Sequence, residues 1–235
     1  MFPSGWRPDL VIFDCDGVLI DSEIISANTL LGLLEARGLD IGIDHVKTHF
    51  LGRSFPTVAA TIRSQFDHSL PADFESQYRR LLLSEFETSL RATPGVTDIL
   101  ERLAIRCCVA TSSSPERVGR SLQIVGLDRF FGAHVYTASE VERGKPAPDI
   151  FLHVAAREGV EPASCLVVED SMPGVQAALN AGMPVVRYVG GSHFGPGRPA
   201  AADNCPAFDK WPDFFDMIPS LEKETTGSAR HGEQG

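Results

Sequence analysis

No run of lysine or arginine occurs in this chain, and no apolar stretch approaches the length needed to cross a bilayer. With a formal net charge of −10, the lack of clustered positive charge argues against nucleic acid or an anionic membrane as the main partner. Anionic substrates are not excluded, because a metal ion and one lysine can set a local field. Residues 1–9 carry no apolar signal-peptide core. The five cysteines, Cys15, Cys107, Cys108, Cys165 and Cys205, are odd in number and mostly embedded in apolar segments. They read as reduced core residues of a cytoplasmic protein and not as a disulfide framework. No internal repeat is apparent. What remains, 235 residues of which 43% are hydrophobic, suffices for one substantial core and a smaller subdomain.

The organising stretch is Leu10-Val11-Ile12-Phe13-Asp14-Cys15-Asp16-Gly17-Val18. Four apolar residues in a row read as a strand buried on both faces. Asp14 and Asp16 then fall at its C-terminal end, the rim where open α/β sheets bind ligands. Two carboxylates so close repel unless a cation or a shared proton intervenes. A polar turn or helix cap after a core strand is the competing reading.

After Asp21 the pattern changes. Ile24, Ala27, Leu31 and Leu34 have helical spacing within residues 22–37, with Gly38 as the terminating glycine. Asp44 and Ser54 are candidate N-caps of two short helices, and Pro71 opens a longer one over 72–89. Residues 22–90 therefore read as a helical insertion hanging over the strand-end rim. Strand and helix alternate again from Thr93-Pro94-Gly95, with Thr93 as N-cap of a helix to Ala104. Strands are expected at 106–111, 133–137, 164–169 and 184–189. Helices are expected after a Ser113/Glu116 capping box and at 148–158 and 171–181. Such alternation predicts a parallel sheet. An irregular loop follows over 190–206, then a short helix around 211–217 and a disordered polar tail over 222–235.

In a parallel sheet, Asp14 and Asp16, Thr111-Ser112-Ser113, and Glu169-Asp170 all reach one rim, with Lys145 beside them in Gly144-Lys145-Pro146. This set suits phosphoryl transfer, in which a carboxylate nucleophile approaches an anionic ester only with charge compensation. Magnesium prefers such oxygen ligands. Asp14 and Asp170 are its candidate ligands, with the carbonyl of Asp16 and Glu169 behind them. Thr111 and the N–H groups of Ser112 and Ser113 are candidate phosphate donors. Asp14 would form an aspartyl-phosphate, with Asp16 as acid and then base.

Phe13-Asp14-Cys15-Asp16-Gly17-Val18-Leu19 with Asp21-Ser22-Glu23, Thr111, Gly144-Lys145-Pro146-Ala147-Pro148-Asp149, and Glu169-Asp170-Ser171 with Gly174 resemble the four motifs of the haloacid dehalogenase superfamily. The resemblance is closest to the phosphatase and β-phosphoglucomutase branch. It implies a Rossmann-like core over 1–21 and 91–221, a helical cap over 22–90, Mg²⁺, and Asp14 as nucleophile. The mutases' cap-hinge histidine falls at Ser26, and their cap lysine has no clear counterpart, which favours hydrolysis over mutase chemistry. The pattern is similar to bacterial phosphatases of sugar phosphates and sugar acids, 6-phosphogluconate among them, and Gly190-Gly191-Ser192-His193 adds to that likeness.

Glu23 and Arg53 are candidate substrate contacts, with surface salt-bridging as the alternative. Cys15 is assigned to packing. His45 and His49, four apart, lack a third metal ligand and fit cap packing or exposure. A receiver-type phosphoacceptor or a non-catalytic binding protein would also carry an acidic rim, but neither needs the Asp14/Asp16 pairing. The hinge of the expected cap lies near 17–21 and 90–93.

Overall fold

The structure, a computed structural model, describes residues 6–50, 53–66, 70–195 and 205–223. The strands are β1 (Leu10–Phe13), β2 (Arg106–Thr111), β3 (Val135–Thr137), β4 (Cys165–Glu169), β5 (Val185–Tyr188) and β6 (Ala207–Phe208). They form one parallel sheet in the order β3-β2-β1-β4-β5-β6. The central strand is the unbroken apolar run, and all four of its residues are fully buried. Alternate residues face opposite ways, as a strand requires. Val11 and Phe13 enter one apolar core, and Leu10 and Ile12 enter the other.

The chain builds outward from β1 to β3 and then crosses to the other side to begin β4. The strand-end crevice above β1, between β2 and β4, is thus the topological switch point where such sheets bind ligands. Phe13 is in register with Val109 and Val168, so Asp14 leaves the sheet level with Ala110 and Glu169.

Among the described residues, four helices intervene between β1 and the rest of the sheet: α1 (Glu23–Glu35), α2 (Ile43–His49), α3 (Phe55–Phe66) and α4 (Phe74–Ser89). They bury Leu34, Val46, Ile62, Phe74, Leu82 and Phe86. The chain leaves and re-enters the sheet region through a paired ribbon. Ile20 bridges Ala92, Asp21 N–H donates to Arg91 O at 3.0 Å, and Thr93 N–H donates to Leu19 O at 3.0 Å. The remaining helices, α5 (Val96–Arg102), α6 (Pro115–Val125), α7 (Asp128–Phe131), α8 (Asp149–Glu158), α9 (Met172–Asn180) and α10 (Pro212–Met217), accompany the strands.

Several local expectations are corrected. Thr93 does not cap α5, whose N-cap is Gly95; its hydroxyl instead donates to Val18 O at 2.6 Å and accepts from Trp211 Nε1 at 2.9 Å. Gly42, not Asp44, precedes α2. Ser114, not Ser113, caps α6, accepting from Arg117 N–H, because the Ser113 hydroxyl is held by Asp16. The short α7 and β6 leave no mark in the sequence, since four and two residues give no usable periodicity. Glu222 and Lys223 are placed against α5, through the Leu103–Glu222 bridge and a 2.8 Å bond from Lys223 N–H to Arg102 O. The rest of the expected disordered tail lies outside the described residues.

Trp211 locks the ribbon to the sheet. It is fully buried, stacked on Tyr188 at 4.9 Å, and packed against Phe13, Phe208 and Phe214 while it bonds Thr93. Trp211→Ala is expected to lower the unfolding free energy by about 3–5 kcal/mol, read from urea denaturation, because the cavity it leaves is walled by sheet residues that cannot collapse into it.

Candidate active site

The strand ends gather acids around a single ammonium group. Lys145 Nζ donates to Asp14 Oδ1 at 2.7 Å, to Glu169 Oε1 at 2.7 Å and to Ala110 O at 3.1 Å, and its side chain is only 2% exposed. All three ammonium donors are therefore used. Burial would push its pKa down, but the charges of Asp14 and Glu169 outweigh this and hold it above the ordinary lysine range. The acids are less well compensated. Burial first, and then the charges of Glu169, Asp170 and Asp16, hold the Asp14 carboxyl well above its ordinary value against the pull of Lys145. Burial and Glu169 do the same to Asp170.

The donor set fits a hard divalent cation. One oxygen each from Asp14, Glu169 and Asp170 lies within 4.8 Å of the others, and Asp170 Oδ1 is buried without a hydrogen-bond partner. Glu169 borders this set: Oε1 accepts from Lys145, and Oε2 accepts from the Ser171 amide at 2.8 Å and hydroxyl at 2.9 Å. Asp14 and Asp170 are left as the available ligands. Two glycines permit the crowding. A Cβ at Gly17, where φ is +77°, would stand 2.1 Å from Asp170 Oδ2, and one at Gly174 would stand 1.7 Å from Glu169 Oε1.

The Asp16 carboxylate is not part of this donor set. It is claimed by donors instead: Ser22 Oγ and Arg117 Nη2 reach Oδ1, and Ser113 Oγ reaches Oδ2, each at 2.6 Å. Burial alone would raise its pKa, but the Arg117 charge and the bonds from Ser113, Ser22 and Arg117 prevail and hold it below the ordinary carboxylate range. Arg117 also donates to Ser26 Oγ at 3.1 Å and lies over the Phe86 ring at 5.5 Å, so it joins α6 to α1 and α4.

A cavity of about 450 Å³ opens above these groups. Asp14, Asp16, Thr111, Ser112 and Ser113 line its floor side; Glu23, Leu30, Phe50, Arg53, Val58 and Tyr78 from the inserted segment line the other. Thr111 is buried and its Oγ1 accepts the Ser113 amide at 3.1 Å, so that amide is directed at Thr111 and not into the cavity. Glu23 is buried at the site, its pKa pushed up to about 8 by burial and then by Asp16 and Asp170. Arg53 is exposed at the cavity. Cys15 is fully buried in the apolar core, and burial pushes its thiol up. His45 and His49 stack at 4.4 Å, with His45 against Phe50 and Phe66, a packing role within the insertion.

Arg117 and His193 were missed as site residues. His193 Nε2 lies 3.1 Å from Asp170 Oδ2. Its loop gives no periodic signal, but Arg117 left one: a cation in the first turn of a helix opposes the helix dipole unless a carboxylate answers it.

The model of the haloacid dehalogenase-like hydrolases matches residues 8–182. The chain belongs to that family. It is 25% identical over 188 residues to the 6-phosphogluconate phosphatase of Escherichia coli (strain K12), covering 80% of this chain and 85% of that one. It is 36% identical over 186 residues to the probable pseudouridine-5'-phosphatase of Drosophila melanogaster, covering 74% and 79%. The crystal structure of a conserved haloacid dehalogenase-like protein of unknown function from Agrobacterium tumefaciens matches with a TM-score of 0.76 and 35% identity, covering 92% of this chain and 99% of that one. The chain is accordingly a hydrolase of the haloacid dehalogenase type, and several of its curated relatives are named phosphatases. Among the described residues no helix is long and apolar enough to cross a membrane.

The crowded acids have a consequence for stability. A carboxyl with a raised folded-state pKa binds its proton more tightly folded than unfolded, so its contribution declines as pH rises above about 4. In chelator, Asp170→Asn is expected to flatten the fall in stability as pH rises above about 4 relative to wild type. Urea denaturation across that range checks it; a steeper fall in the variant contradicts the assignment.

Proposed function

We propose that this chain is a Mg²⁺-dependent phosphatase that works through an aspartyl-phosphate on Asp14. The observation that carries the reading is the convergence of Asp14, Lys145, Glu169 and Asp170 beneath a cavity whose floor side also holds Asp16. Asp14 and Asp170, with the main-chain carbonyl of Asp16, would hold the ion, which when bound neutralises phosphate oxygens so that a carboxylate can approach an anionic ester. Lys145 orients Asp14 by its bond to Oδ1, leaving the carboxylate one fixed direction of attack. Attack on phosphorus breaks the ester bond, and the leaving alcohol takes a proton from Asp16. Asp16 then removes a proton from water, which hydrolyses the aspartyl-phosphate and releases phosphate. Thr111 and Ser112 stand at the floor of the cavity where the transferring group must lie.

Asp16 is ionised in the arrangement described, held by Arg117. Its acid role therefore requires Arg117 to withdraw, and the partners of Arg117 on α1 and α4 tie that withdrawal to movement of the inserted helices as a cap over residues 22–90. The hinge is the ribbon formed by Ile20, Asp21, Arg91 and Ala92. Hydrolysis is favoured over mutase chemistry because Ser26, where the mutases have a histidine, offers only a hydroxyl, and that hydroxyl accepts from Arg117.

The substrate class we propose is a phosphorylated sugar or sugar acid such as 6-phosphogluconate, with Arg53 and Glu23 contacting its polar end and a cytoplasmic site of action. One observation favours a second class. Leu30, Phe50, Val58 and Tyr78 make an apolar wall suited to a ring, which brings nucleoside 5'-monophosphates into consideration. Phosphate release from a panel of both classes, with Mg²⁺ and with chelator, decides between them. Wild type is expected to release phosphate only with Mg²⁺, and Asp14→Asn is expected to lose at least about 10³-fold in kcat/KM, the scale of losing a nucleophile. Release unaffected by Asp14→Asn would refute the mechanism.

A further inference from the structure

The loop after β5 contributes a side chain that the phosphatase mechanism does not use. The His193 side chain is 9% exposed, with Nε2 3.1 Å from Asp170 Oδ2. The chain has made room for this ring. A Cβ at Gly191 would stand 2.7 Å from it, and one at Gly17 would stand 3.1 Å from it and 2.1 Å from Asp170 Oδ2. Strand β5, from which the loop leaves, reaches Asp170 as well: Arg187 Nε donates to Asp170 O at 2.8 Å, and Phe194 of the loop lies 5.4 Å from the Arg187 guanidinium. Ser192, next to His193, donates from both its amide (3.1 Å) and its hydroxyl (2.8 Å) to Asp21 Oδ1 on the ribbon. Asp170 thus has its main chain held from β5 and one side-chain oxygen met by the loop that follows, while Oδ1 is buried at the acid cluster without a hydrogen-bond partner.

We propose that His193 is a positioning residue for the metal site: by holding Oδ2 of Asp170 it aims Oδ1 at the cation. The inference rests on the reading of Asp170 as a metal ligand. A buried carboxylate left to rotate would spread its oxygens over several directions, and a hydrogen bond to one oxygen selects the direction of the other. Residues that orient a ligand in this way typically contribute 10- to 100-fold in metal affinity. The bond from Ser192 to Asp21 places the same loop at the root of α1, so metal-site geometry and ribbon geometry share one support.

The experiment is calorimetric titration of Mg²⁺ into the chelator-stripped full-length protein without substrate, a readout independent of turnover. Wild type is expected to bind and Asp170→Asn to lose binding. His193→Ala is expected to bind about 10- to 100-fold more weakly. His193→Gln, whose amide nitrogen can occupy the place of Nε2, is expected to stay within about threefold of wild type, and it carries the test if the alanine variant fails to fold. His193→Ala binding as wild type or tighter, or His193→Gln as weak as a tenfold loss, overturns the inference while leaving Asp170 as ligand. Asp170→Asn binding as wild type overturns the metal reading itself, and the role of His193 with it.

Discussion

One ammonium group stands against three buried carboxylates, and that imbalance governs this molecule. Lys145 uses all its donors on Asp14, Glu169 and Ala110, so it fixes the geometry without satisfying Asp170. Buried charges are tolerated only when paired and hydrogen-bonded, and here the pairing is left incomplete by one partnerless oxygen. A fold that keeps such a deficit is prepared for a further positive charge, and on the proposed mechanism a phosphoryl group needs the same charge to be approached. Structural cost and catalytic use have a single cause.

The sheet makes this convergence possible with little local machinery. Because β1, β2 and β4 are parallel and adjacent, the residues after each strand emerge side by side at the switch point, although Asp14, Thr111 and Glu169 are distant in sequence. Burial of β1 on both faces holds that register: a slip of one residue would move Val11 and Phe13 into the opposite core. Close approach of the acids then depends on Gly17 and Gly174, where any side chain would collide with Asp170 or Glu169.

Much of this was legible in the sequence, and the reason is physical. Strand ends are marked by apolar runs stopping at acids, so Asp14, Thr111, Glu169 and Asp170 could be placed at one rim from pattern alone, and the helical insertion followed from spacing. What escaped were contacts made across large sequence separations by residues in unremarkable local settings. Arg117 reads as a surface helix residue until Asp16 is found beside it, and His193 sits in a glycine-rich loop whose shape no periodicity encodes. Thr93 looked like a helix cap because Thr-Pro is a common helix start, but Trp211, 118 residues later, claims its hydroxyl. The substrate stays less legible than the chemistry, since one side of the cavity is built from strand ends that leave a pattern in the sequence and the other from inserted helices whose lining residues, Leu30, Phe50 and Tyr78 among them, read only as apolar positions.

Arg117 ties these levels together. A general acid must carry a proton, yet Asp16 faces a guanidinium and two hydroxyls that all favour its ionised form. The arrangement therefore opposes protonation of Asp16 so long as Arg117 remains in place. Arg117 is itself held by Ser26 on α1 and lies over Phe86 on α4. Displacement of those helices removes one of the guanidinium's supports, and an anion entering the cavity offers it a competing partner. Both changes act in the same direction, toward a freed Asp16. On the proposed mechanism, the acid becomes competent when the site is filled and the inserted helices have moved, which links proton transfer to substrate capture through one side chain.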